Sequence, residues 1–127
     1  MAKSKTILVV DDEPDIVNLT EKILKLASYK TLTCNNGKEA LKLIEEKYKE
    51  ISLVLLDLMM PGVSGMEVLR TIKSNDIFKH ILVILFTVKS FKEDIQKGKE
   101  MGADGYITKP FSGKQLLDYV NSIFEKH

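Results

Sequence analysis

Five short apolar runs alternate with longer stretches of helical period, and this alternation constrains the fold more than any other feature of the chain. The runs are Thr6 to Val10, Thr31 to Cys34, Leu53 to Leu56, Ile81 to Phe86 and Gly105 to Ile107. Strand-like and helical segments in strict turn predict βα units on a parallel sheet. The first, third and fourth runs lack in/out alternation, as expected of strands covered by helices on both faces, whereas the second and fifth read as edges. Between the runs, Pro14 stands at a natural first helical position and predicts a helix from Pro14 to Ser28, with Ile16, Leu19, Thr20, Ile23 and Ala27 at helical spacing. Further helices are expected over Gly37 to Tyr48, Gly65 to Ser74 and Phe91 to Met101, the last closed by Gly102 as a left-handed cap. Ser112 can cap a final helix whose Leu116, Val120, Ile123 and Phe124 face the sheet.

A length of 127 residues predicts one domain, spanning 1–127. With 44% hydrophobic and 29% charged residues, the composition excludes disordered, collagen-like and disulfide-scaffold classes. The formal charge is +1, and all nineteen basic residues except Arg70 are lysine. Neither bulk attraction to phosphates nor bidentate base readout is therefore expected, so no direct nucleic-acid contact is assigned to this chain. The single Cys34 cannot form an internal disulfide and reads as a small hydrophobe. The apolar run after Lys5 is too short for a signal peptide or a membrane span, so a cytoplasmic location without membrane contact is the expectation.

In open parallel sheets ligands bind outside the carboxyl ends of the strands. The residues there are Asp11-Asp12-Glu13 after the first run, Asp57 after the third, Thr87 at the end of the fourth and Lys109-Pro110 after the fifth. Taken singly, aspartates cap helices and form turns, threonine suits strands, and lysine occurs anywhere. Taken together they converge on one edge if the first and third strands are neighbours. Like-charged carboxylates about 5 Å apart repel by about 3 kcal/mol per pair at an effective dielectric of about 20. Lys109 offsets one of the three charges, and a divalent cation would neutralise the rest. Carboxylate and carbonyl oxygens suit Mg²⁺, so the pattern points to a metal-assisted phosphoryl site with Asp57 as nucleophile.

These residues carry a family resemblance over about Lys5 to Phe124. Val9-Val10-Asp11-Asp12-Glu13-Pro14, Asp57 to Gly65, Thr87, and Gly102 to Phe111 together resemble a response-regulator receiver domain of two-component signalling, similar to stand-alone chemotaxis-type regulators. The resemblance implies a flavodoxin-like, doubly wound five-stranded parallel sheet in the order 2-1-3-4-5 with five helices. It implies Asp57 as phosphoacceptor, taking a phosphoryl group from a sensor histidine kinase or phosphotransfer protein. It implies Mg²⁺ (or Mn²⁺) bound by Asp12 directly, by Asp11 through water, by the Asp57 carboxylate and by the Met59 carbonyl. Lys109 would pair with a phosphoryl oxygen, Thr87 would swing in to bond another, and Tyr106 would move inward behind it as the switch aromatic. A cis Lys109-Pro110 bond is also implied. Such a protein catalyses its own phosphorylation and dephosphorylation but is otherwise no enzyme. Its output surface, the fourth helix, fifth strand and fifth helix, would regulate a downstream protein and serve pairing of two copies, although nothing in the residues demands the pairing.

Departures from the family pattern matter too. Val88 stands where a small residue is usual, and Lys89 and Met59 occupy positions that tune the lifetime of the aspartyl phosphate; Val88 and Met59 are expected to shield it from water. Phe86 is bulkier than usual and reads as core filling. Kinase docking is expected at Ile16 and Leu19 with Pro110 and Phe111, the alternative being that Ile16 and Leu19 are core. Tyr106 alternatively reads as an edge-strand tyrosine with its hydroxyl in water. A haloacid-dehalogenase-like phosphohydrolase would need a second acid two residues after Asp57, where Met59 stands; a flavodoxin-like cofactor protein would need a phosphate-binding first loop in place of Asp-Asp-Glu. A receiver belonging to a longer regulator is the remaining alternative. Ser112-Gly113-Lys114-Gln115-Leu116 lacks the acidic-Leu-x-x-Arg pattern frequent in winged-helix regulators, which favours a stand-alone protein or another output class.

Overall fold

A computed structural model describes residues 5–88 and 92–127. The expected alternation is present throughout: β1 (Thr6–Val10), α1 (Pro14–Leu26), β2 (Lys30–Cys34), α2 (Gly37–Lys47), β3 (Ile51–Asp57), α3 (Gly65–Ser74), β4 (Leu82–Val88), α4 (Lys92–Glu100), β5 (Gly105–Lys109) and α5 (Gly113–Lys126). All pairings are parallel and the strand order is β2-β1-β3-β4-β5, the doubly wound order that the resemblance implied. The expected beginning of the fourth helix at Phe91, and Lys89, lie outside the described residues.

The sheet separates two apolar layers because successive strand residues point to opposite faces. On one face Ile7, Val9, Leu55, Ile84 and Phe86 pack with Leu24 of α1 and Leu116, Val120 and Ile123 of α5. On the other, Leu8, Val10, Val54, Leu56 and Leu85 pack with Ile44 of α2 and Leu69 and Ile72 of α3. Continuous burial of β1, β3 and β4 explains their unalternating sequence, and the more exposed β2 and β5 are the edges, as expected. Phe86 is fully buried and fills core, stacked on Phe111 at 5.2 Å. The free edge of β5 is partly covered where the Tyr106 amide donates to the Tyr119 hydroxyl of α5 at 3.0 Å.

Helix α1 departs from the sequence reading in two ways. It stops at Leu26, because Ser28 takes a left-handed φ of 70° and the amides of Ala27 and Ser28 turn back to the Leu24 and Lys25 carbonyls. Its buried face is Val17, Thr20 and Leu24; Leu19 is 48% exposed and Ile16 only half-buried, so the alternative that both are core is wrong. The two expected caps are present: the Ser112 hydroxyl accepts the Gln115 amide while the Gln115 side chain accepts the Ser112 amide, and Gly102 takes φ 104° after α4. No helix among the described residues is long and apolar enough to cross a membrane.

Candidate functional site

Strand register brings the polar strand ends together. Val10 lies beside Leu56, so Asp11 and Asp57 leave adjacent strands at the same level. Asp57 ends β3 opposite Phe86, and Thr87 and Val88 pair with Thr108 and Lys109 one step further along. Asp12, Glu13, Asp57, Met59, Thr87, Val88 and Lys109 line a cleft of about 240 Å³ there. Gly65 lets α3 close against this end of β3: a Cβ at that position would fall 2.1 Å from the Asp57 carbonyl oxygen and 2.7 Å from Leu58 Cα.

The charges in the cleft are tightly interlocked. One ligand atom from each of Asp11, Asp12 and Asp57 lies within 4.8 Å of the others. Lys109 Nζ stands 2.7 Å from Asp11 Oδ2, 3.5 Å from Glu13 Oε1 and 3.7 Å from Asp57 Oδ2. Burial works against the Lys109 charge, but Asp11, Asp57 and Glu13 outweigh it and hold the ammonium above its usual range. Burial, then the Asp11 charge, push the Asp57 carboxyl up to about 7, against the opposing pull of Lys109 and of the Met59 amide, which donates to Oδ1 at 3.2 Å. The Asp11 carboxylate also accepts the Glu13 amide on Oδ1 at 3.0 Å, while its enclosed Oδ2 faces the Lys109 ammonium.

Three carboxylates facing one ammonium, with one carboxyl among them driven toward its neutral form, mark a site short of positive charge. The donors are all hard oxygens, which fits Mg²⁺ or Mn²⁺. The model of the response regulator receiver domain family matches residues 7–121. This chain belongs to that family. The receiver is 37% identical over 96% of its length to the phosphate regulon transcriptional regulatory protein PhoB of Pseudomonas aeruginosa, of which it spans about half, 52%. It superposes on the chemotaxis response regulator CheY4 of Vibrio cholerae with a TM-score of 0.86 at 27% identity, covering 94% of this chain and 98% of that one. The BeF₃-activated DrrB receiver domain gives 0.83 at 36% identity, covering 95% and 97%. Receivers act in two-component signalling with histidine kinases and downstream effectors, and phosphorylation and Mg²⁺ are general features of the family.

The receiver thus gathers Asp11, Asp12, Asp57, Met59, Thr87 and Lys109 at one cleft, as the sequence analysis expected. Thr87 is buried, with its hydroxyl turned to the Val88 carbonyl at 3.3 Å. Tyr106 lies away from the cleft, half-buried, with the Lys99 ammonium of α4 4.7 Å from its ring centre. Pro110 is exposed after a cis Lys109-Pro110 bond, and Phe111 is anchored on Phe86. Glu13 was missed as a partner of Lys109; the signal available was a third consecutive acid at a strand end.

Proposed function

We propose that this receiver is a phosphorylation-activated switch in which Asp57 accepts a phosphoryl group from the phosphohistidine of a sensor kinase or phosphotransfer protein. A carboxylate oxygen of Asp57 forms the new P–O bond while the P–N bond breaks and its electron pair returns to the imidazole. Asp12, the Asp57 carboxylate and the Met59 carbonyl, with Asp11 through water, would hold a Mg²⁺ or Mn²⁺ ion, which would supply positive charge for the carboxylates and phosphoryl oxygens. The Lys109 ammonium exchanges part of its contact with Asp11 for a phosphoryl oxygen, and the Thr87 hydroxyl turns from the Val88 carbonyl to donate to another. Tyr106 follows inward, and the surface of α4, β5 and α5 changes for a downstream protein or a second copy. The observation that carries this reading is the trio of aspartates within 4.8 Å of one another beside Lys109.

Exposed Leu19 and Pro110, with half-buried Ile16 and Phe111, form the proposed kinase-docking patch beside the cleft. Met59 and Val88 are the exposed apolar residues of the cleft, which supports their proposed role in shielding the acyl phosphate. The Pseudomonas relative is a transcriptional regulator and the Vibrio one a chemotaxis regulator, so the output is proposed as a protein partner or an attached domain. The test is labelling by acetyl phosphate with Mg²⁺. Wild type should gain an acid-stable, hydroxylamine-labile label and Asp57→Asn should gain none; the same label persisting on Asp57→Asn overturns the assignment.

A further inference from the structure

The sulfur atoms of the described residues sit in unequal surroundings. Met60 is 7% exposed, and Met66 and Met101 are packed against the core. Cys34 is buried, and burial pushes its thiol up to about 11, so it carries little reactive thiolate. Met59 is the exception at 55% exposed, and it stands at the mouth of the cleft that holds Asp57. Its amide donates to Asp57 Oδ1, so its backbone is tied to the proposed phosphoacceptor. Among the described residues, the sulfur most open to oxidants therefore forms part of the wall around the reacting carboxylate.

We propose that Met59 is an oxidation site whose conversion to the sulfoxide shortens the life of the phosphoryl group on Asp57, an inference that rests on the function proposed above. The oxidant is a hydroperoxide. A sulfur lone pair attacks one peroxide oxygen, the O–O bond breaks, an S–O bond forms, and the second oxygen leaves with both hydrogens as water when hydrogen peroxide is used. Sulfur loses two electrons and the peroxide gains them. A flexible apolar side chain becomes a polar one whose oxygen accepts hydrogen bonds strongly, whereas the thioether does so weakly. With Val88 the reduced side chain walls water away from the acyl phosphate; the sulfoxide oxygen holds a water there, where hydrolysis needs one. No formal charge is added, so the effect is separate from the electrostatics of the carboxylates.

The experiment treats the full chain with graded hydrogen peroxide, maps added oxygen by peptide fragmentation, and measures the half-life of label after removal of acetyl phosphate. Met59 should gain oxygen before Met60, Met66, Met101 and Cys34. The half-life of the oxidised wild type should fall about three- to tenfold, the rate equivalent of one ordinary hydrogen bond. Met59→Leu should show the same half-life before and after peroxide, whatever that half-life is, and Met59→Gln should be shorter-lived than Met59→Leu without oxidant. Oxidation of Met60, Met66, Met101 or Cys34 ahead of Met59, an unchanged half-life after Met59 is oxidised, or equal shortening in Met59→Leu overturns the proposal. Absence of label on the untreated protein counts against the phosphoacceptor function itself, and the order of oxidation still decides whether Met59 is the sensitive residue.

Discussion

Asp57 is held in a site that disfavours its charge. Its carboxyl is pushed up to about 7, while an unfolded chain leaves an aspartate near 4. Between those values the folded state binds more protons than the unfolded state, so stability falls as pH rises through this window and is level above it. The expected outcome, in chelator, is a melting temperature whose difference between wild type and Asp57→Asn declines from about pH 4 to about pH 7. Mg²⁺ added above pH 7 should recover much of the loss in wild type and little in Asp57→Asn. A difference that grows with pH in the absence of metal contradicts the electrostatic account. At this scale the aspartates, Thr87 and Lys109 were legible because each follows an apolar run and strand ends share one edge. The contact of Glu13 with Lys109 was not, since it depends on the turn in which the Glu13 amide bonds Asp11.

Secondary-structure elements deliver these residues, and two substitutions separate the stability of an element from its placement of the site. At Gly65 an added Cβ meets backbone atoms of Asp57 and Leu58, which cannot swing aside. Gly65→Ala is expected to cost about 1–3 kcal/mol, as overpacking does, and to slow labelling of Asp57 as well. Ser112→Ala removes a capping box that contributes no group to the cleft and should cost about 1 kcal/mol with labelling retained; melting curves and acetyl phosphate labelling check both. Capping was readable from sequence because it is local. The rotation of α1 was readable only in part: of Ile16, Leu19, Thr20, Ile23 and Ala27, Thr20 is buried and Ile23 and Ala27 pack on the core, whereas Leu19 is exposed and the neighbouring Val17 and Leu24 are buried instead. Adjacent stripes lie only about 100° apart on a helix of 3.6 residues per turn. Packing with Ile7 and Val9 centres the buried face on Leu24, flanked by Ile23 and Ala27, and leaves Leu26 80% exposed.

Across the whole molecule, the cleft and the proposed output surface are joined through paired strands. Thr87 lies opposite Thr108, and Leu85, two residues earlier in β4, lies opposite Tyr106. If, as proposed, Thr87 shifts toward a phosphoryl oxygen, the paired strand that carries Tyr106 is expected to respond; the Tyr106 ring is met from outside by Lys99. An exposed cation–π contact is worth about 0.5–1 kcal/mol, small enough for phosphorylation to break and large enough to bias a two-state side chain. If inward movement of Tyr106 ends the contact, the contact stabilises the unphosphorylated arrangement. Lys99→Ala should then bind beryllofluoride with Mg²⁺ about two- to fivefold more tightly, the population equivalent of that energy. Titration followed at the Tyr106 resonances measures it directly. Unchanged or weaker binding would mean that Lys99 stays on the ring in both states, and that α4 is coupled to the cleft by some other contact.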